Sequence, residues 1–149
     1  MRANSAEKKG LAVVADVAQM GLVFQHTAPA TTRRFIREHP ETVRRYVKAQ
    51  VEAVHRIWTD KEATVKTLGK YMGSAVDREI LEKSRENILT ESLLPKKQFP
   101  SLEGLKTVLE DISERDPRAK AAKPEQFVDA TFIKELDQSG YIDGLYKKK

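Results

Sequence analysis

Residues 40–58, PETVRRYVKAQVEAVHRIW, decide the fold class because their apolar side chains recur at helical spacing. Steps of three and four residues join Val43, Val47, Val51, Val54 and Trp58. Such steps place side chains on one face of an α-helix, and charged residues fill the opposite face here. The stretch predicts a long amphipathic helix that packs on the rest of the protein through its valines.

Shorter helices are predicted on both sides of this long helix. Thr31 or Thr32 can cap a helix that ends at His39, because a residue before proline is pushed out of the helical region. One predicted helix runs from about Lys61 to Met72 after a cap at Thr59 or Asp60, and another begins at Asp77 with Ile80, Leu81, Ser84 and Ile88 on one side. A further helix begins at the cap Ser101 and ends at Asp116-Pro117, and the last passes through Phe132, Ile133 and Leu136 to a stop at Ser139-Gly140. Residues 94–100 are predicted to form an extended loop, and residues 118–124 a linker.

The first thirty residues have a different character from the rest. GLAVVADV, residues 10–17, predicts a short buried strand opened by Gly10. Asp16 and Gln19 interrupt the apolar stretch, which argues against a secretory signal peptide. We therefore expect one domain, with residues 1–30 as a strand or hinge segment and residues 31–149 as a helical region. The predicted fold class is mainly α with one or two short strands.

Composition excludes several function classes. The 149 residues contain no cysteine, so disulfides, thiolate metal sites and cysteine nucleophiles are excluded. The formal net charge of +5 falls to +2 without the three lysines at 147–149, and elsewhere the two signs alternate. This distribution is typical of solvated helix faces, so no nucleic-acid partner is expected.

No pattern for catalysis or metal binding is present. The seven glycines are scattered and form no phosphate-binding loop, and no serine lies in a nucleophile elbow. His26, His39 and His55 have no metal-ligand spacing. We expect a protein that is not an enzyme and has no cofactor and no metal.

One segment contains groups that are suited to binding a ligand. Ala30, Thr31, Thr32 and Arg33 lie where a strand-like stretch meets a helix N-terminus. Free backbone N–H groups, two hydroxyls and a guanidinium there can hold a sulfonate, nitrate or carboxylate. The alternative is that Thr32 only caps the helix and Arg33 points to solvent. Asp16 has a similar ambiguity, as a hinge residue that binds backbone groups or as a simple charge at a strand end.

Three stretches carry a resemblance to a known family. They are TTRRFIREHPETVRRYVKA at 31–49, PSLEGLKTVLEDI at 100–112, and DPRAKAAKPEQFVDATFIKELDQSGYIDGLYKKK at 116–149. Together they resemble the C-terminal half of extracytoplasmic solute-binding proteins of ABC importers, in the nitrate, sulfonate and taurine group that also includes binders of thiamine-pyrimidine precursors. Such proteins are periplasmic binding proteins of type II.

The resemblance implies a fold, a function and a location. Family members have two α/β lobes with the ligand between them and are about twice this length, so the N-terminal lobe is expected to be absent here. The implied function is binding of a small anion or heterocycle for delivery to an ABC permease, in the periplasm or another extracytoplasmic space. Without that lobe, apolar residues such as Phe127, Phe132, Tyr141 and Leu145 are expected to be left exposed. We then expect either a homodimer that buries them or a rearranged compact helical bundle. The alternative is a stand-alone helical interaction or dimerisation module without transport function.

Overall fold

Helices account for all the regular secondary structure in residues 10–12, 14–15, 20–25, 27–73 and 76–147, the part of the chain that the computed structural model describes. The α-helices are α1 (Arg33–Glu38), α2 (Pro40–Thr59), α3 (Lys61–Met72), α4 (Arg78–Ile88), α5 (Leu102–Ser113), α6 (Thr131–Gln138) and α7 (Tyr141–Lys147). Two 3-10 turns, Pro117–Ala121 and Pro124–Phe127, connect α5 to α6. The prediction of a mainly α protein is confirmed, and no described helix is long and apolar enough to cross a membrane.

Local capping sets most of the helix boundaries. Thr32 Oγ1 accepts the backbone N–H of Phe35 at 3.1 Å at the start of α1. Asp60 and Ser101 cap α3 and α5 in the same way, each accepting the N–H three residues ahead. These three caps confirm the predicted helix starts, because a side-chain acceptor at this position satisfies an N–H that has no partner within the helix.

The main core lies where α2 packs against α6 and α7. Val51 and Ile142 have no exposed surface, and Ile133 is 5% exposed. Val47, Leu136, Leu145 and others pack around them as half-buried neighbours. The valine face of α2 therefore points inward, as its spacing predicts.

A second contact holds the α3–α4 pair against the C-terminal end of α2. Val54, Val65 and Leu81 are buried. Arg85 of α4 is 7% exposed and donates from Nε to the carbonyl of Ile57 at 2.9 Å and from Nη2 to that of Trp58 at 2.8 Å. A cation at the negative end of a helix dipole is favourable. Arg85 thus joins α4 to the last turn of α2.

The predicted N-terminal strand is wrong for the residues that the structure describes. Residues 10–12, 14 and 15 belong to no strand, and Val14 is 98% exposed. A strand needs a neighbour for its backbone hydrogen bonds, and no other strand occurs among the described residues. Asp16 lies outside the described residues.

The C-terminal region also differs from expectation. Phe127 is 63% exposed, as predicted, but Phe132 is 7% exposed and belongs to the core side of α6. Tyr141 and Leu145 are half-buried because they belong to α7, a helix that the sequence pattern did not predict. The predicted linker at 118–124 contains most of one 3-10 turn and the start of the other.

Candidate functional site

The predicted anion-binding residues lie at the start of α1, where two of them have partners within the chain. Thr32 is the helix cap described above. The Arg33 guanidinium donates from Nη2 to the Gln126 carbonyl at 2.7 Å, 93 residues away. Asp129 lies close enough that the charge of Arg33 helps to lower the pKa of this carboxyl, after the larger effect of hydrogen bonds from Thr131. Arg33 therefore fastens α1 to the second 3-10 turn.

Thr31 is exposed at the same helix start. Neither it, Thr32 nor Arg33 lines the cavity described next. Asp16, the fourth predicted residue, lies outside the described residues. The role of these four residues in ligand binding stays a prediction.

A cavity of about 470 Å³ lies between the loop after α4 and one side of α7. Pro95, Lys96 and Lys97 form the loop wall, and Ile142, Asp143, Tyr146 and Lys147 form the α7 wall, with Glu91 also in the lining. The volume falls in the range of small-molecule sites, about 300–1,000 Å³. Apolar surface and charges of both signs meet here.

Two aromatic rings and a carboxylate surround the ammonium of Lys96. Its Nζ lies 4.7 Å from the ring centre of Trp58 and 5.5 Å from that of Tyr146. The Glu91 carboxylate lies 3.2 Å from the same Nζ and accepts the Lys96 backbone N–H at 3.1 Å. That backbone hydrogen bond, followed by contacts with the Lys96 side chain, lowers the pKa of Glu91. We call Trp58, Tyr146 and Glu91 the cation cage.

The rings of the cage are held by neighbouring groups. Trp58 Nε1 donates to the Leu94 carbonyl at 3.1 Å. His55 meets the Tyr146 ring edge-on, with ring centres 4.9 Å apart. The hydroxyl of Tyr146 is buried and has no hydrogen-bond partner among the described residues, and burial raises its pKa. The two rings are therefore positioned from α2 and α7.

Lys97 occupies a different environment on the same loop. Its Nζ lies 2.6 Å from Asp137 Oδ1 and 3.2 Å from Asp143 Oδ1. Hydrogen bonds to these two carboxylates, Asp137 first, raise the pKa of Lys97. Lys97 thus joins the loop to α6 and α7 through ion pairs, whereas Lys96 contacts aromatic rings.

The sequence pattern did not predict this cavity. Trp58 and Tyr146 are 88 residues apart, and the periodicity assigns Trp58 to the apolar face of α2. The sequence feature that could have pointed to this site is the pair of adjacent lysines, Lys96 and Lys97, in a loop bounded by prolines. The residues near Lys96 in the sequence do not indicate that its side chain contacts Trp58 and Tyr146.

A second candidate is an incompletely covered surface around α5. Among the described elements, α5 packs mainly against the two 3-10 turns, and Gly104 is its one buried residue. Exposed apolar side chains occur on this helix, just before it, and on the segments beside it: Phe24, Phe99, Leu102, Ile112 and Phe127. We call these residues the α5 surface. Its composition suits contact with another apolar surface.

Within the described ranges, no three histidine, aspartate or glutamate side chains come together in a way that could hold a metal ion. Comparison with protein-family models, curated proteins and solved structures found no match to this chain. Functional assignment therefore depends on the residues and geometry given above.

Proposed function

We propose that this chain is the C-terminal helical part of an extracytoplasmic solute-binding protein that delivers a small anion or a heterocyclic precursor to an ABC importer. The support from sequence is the resemblance of residues 31–49, 100–112 and 116–149 to that family. In this proposal the chain performs no catalysis, and ligand is held when two lobes close around it.

The observation that carries the proposal is the α5 surface. An amphipathic helix normally buries its apolar face in the domain core, yet Leu102 of α5 is 44% exposed and Ile112 is 39% exposed. Phe24, whose backbone lies beside Gly104 of α5, is 45% exposed as well. Such faces are what remains when helices that cover a neighbouring lobe are separated from it.

Contacts between residues 24–25 and α5 support the same proposal. The Ser101 N–H donates to Gln25 Oε1 at 2.8 Å. A Cβ on Gly104 would lie 2.6 Å from the Gln25 backbone nitrogen, so the backbone at residue 25 lies directly against α5. A non-helical segment that lies against a helix start, without a strand partner, suits a hinge connection to a second lobe.

Reassembly from two chains tests the proposal. The N-terminal half of a family member with a known ligand is mixed with this chain, and thermal unfolding is recorded with and without that ligand. We expect a complex whose melting temperature rises by about 5–10 °C at a hundredfold excess over Kd, equivalent to about 2.7 kcal/mol. The matched positive control pairs the same half with its own C-terminal half.

Two α5 variants sharpen this experiment. Leu102→Glu places a charge on the α5 surface and should abolish association, whereas Lys106→Glu changes an exposed position on the same helix and should leave it intact. If the control pair binds ligand and this chain neither associates nor binds, the proposal is wrong. A chain that then self-associates through α5 would favour the interaction-module alternative.

A further inference from the structure

The cation cage has the composition of a ligand site, although a side chain of the protein fills it. Aromatic faces attract cations within about 6 Å of the ring centre, and both rings lie within that distance of Lys96 Nζ. The Glu91 carboxylate adds a direct opposite charge at 3.2 Å. Three groups from α2, α7 and the intervening loop thus converge on one ammonium.

We propose that Trp58, Tyr146 and Glu91 form a binding site for a quaternary ammonium group, and that Lys96 occupies this site when no ligand is bound. A quaternary ammonium group is held less strongly by water than the lysine ammonium, because it has no N–H to donate. Ring faces and a carboxylate are therefore a comparatively better environment for it than for Lys96.

Exchange of Lys96 for a ligand is sterically feasible. The Lys96 side chain is 41% exposed and that of Glu91 is 61% exposed, so the lysine can turn into solvent without breaking the core. The adjoining cavity of about 470 Å³ offers room for the remainder of a small ligand. Its wall includes Pro95 and Ile142, which suit an apolar portion.

Lys96 also sets the affinity expected for such a ligand. An occupant tethered within the chain competes with free ligand, and the apparent Kd equals the intrinsic Kd divided by the fraction of time that the site is free. Removal of the competing ammonium should therefore tighten binding. Lys106 of α5 is not among the residues that line the cavity and pairs with Glu110 at the surface, so its removal should leave the cage as it is.

Tryptophan fluorescence provides a direct measurement because Trp58 is the chain's single tryptophan. Tetramethylammonium chloride is titrated into the full chain, with sodium chloride at equal ionic strength as the reference. We expect a saturable change with tetramethylammonium alone. Lys96→Met should lower the apparent Kd by about tenfold, Lys106→Met should match the unmodified chain, and Glu91→Gln should bind several times more weakly.

Circular dichroism of each variant establishes that it is folded before titration. Should Lys96→Met fail to fold, Lys96→Gln removes the charge while keeping a polar side-chain end, and the same tightening is expected. A response identical to that of sodium chloride would overturn the proposal. So would equal affinity of folded Lys96 variants and the unmodified chain, which would make Lys96 a structural clip between the loop and the rings.

Discussion

At the residue scale, Arg85 is a buried cation, and its hydrogen bonds to the part of the chain that the structure describes go to backbone carbonyls. Its guanidinium donates to the carbonyls of Ile57 and Trp58 in the last turn of α2. Arg85→Met should lower the free energy of unfolding by about 2–3 kcal/mol, because it removes two charged hydrogen bonds and leaves two carbonyls without this partner. Urea unfolding monitored by circular dichroism measures this loss.

Arg115→Met is the matched control for Arg85→Met. The Arg115 side chain is 77% exposed and pairs with Asp111 four residues earlier. Exposed pairs of this kind contribute little, so the change should stay within about 0.5 kcal/mol. Equal effects of the two substitutions would show that the Arg85 contacts do not stabilise the fold.

Tyr141 gives the molecule a predictable response to alkaline pH. Its hydroxyl donates to the Glu52 carboxylate, and this bond, with smaller effects of burial and of the Glu52 charge, raises the phenol pKa to about 12. The unfolded value is about 10. Because the folded pKa is the higher one, the stabilisation is complete below pH about 10 and is lost as pH rises through about 12.

The absorbance of the phenolate form tests this prediction. The difference between the unmodified chain and Tyr141→Phe gives the titration of Tyr141 alone, and Glu52→Ala should move that titration back toward the ordinary value. Stability measured against pH should decline over the same interval and lose this part of its dependence in Glu52→Ala. A Tyr141 titration that Glu52→Ala leaves unchanged would contradict the assigned cause.

At the element scale, two helical glycines should respond oppositely to alanine. A Cβ on Gly104 of α5 would lie 2.6 Å from the Gln25 nitrogen and 2.9 Å from the Phe24 carbonyl carbon, whereas one on Gly144 of α7 meets nothing within 4 Å. Gly104→Ala should destabilise by about 1–3 kcal/mol through overpacking. Gly144→Ala should stabilise by about 0.5–1 kcal/mol through helix propensity.

Thermal unfolding of the two glycine variants provides the comparison. The Gly104→Ala cost should become smaller when deletion of residues 1–30 removes the contact with residues 24–25, although the Ser101 hydroxyl, 3.2 Å from the added Cβ, stays close. A stabilising Gly104→Ala in the full chain would mean that the segment does not lie against α5 in solution.

The sequence predicts the start of a helix well where a capping side chain lies within a few residues of the N–H that it binds. Thr32, Asp60 and Ser101 cap the helices that they were predicted to begin, because a cap acts on an N–H only two or three residues away. A strand at residues 10–17 is harder to predict, because its apolar composition does not show which other strand would pair with it. The cation cage escaped prediction for the same reason, because Trp58 and Tyr146 meet only through the packing of α2 on α7.

At the scale of the whole molecule, burial is unevenly distributed. Val51, Ile133 and Ile142 form a closed core between α2, α6 and α7. On α5, by contrast, Gly104 is the one buried residue. Local stability follows buried apolar contacts, and poorly covered elements open at lower free energy than the core. The chain should therefore open in at least two steps under native conditions.

Hydrogen exchange followed by mass spectrometry measures both steps. Amides of α2 and α6 should exchange only with global unfolding, and those of α5 at a lower free energy. Val51→Ala, which removes two buried carbon atoms and leaves a cavity, should lower core protection by about 2 kcal/mol while α5 protection stays unchanged. Equal protection of α5 and α2 in the unmodified chain would show that α5 is held as firmly as the core. Under the proposed function, the added N-terminal half of a solute-binding protein should raise α5 protection selectively, because it would cover Leu102 and Ile112, which are exposed here.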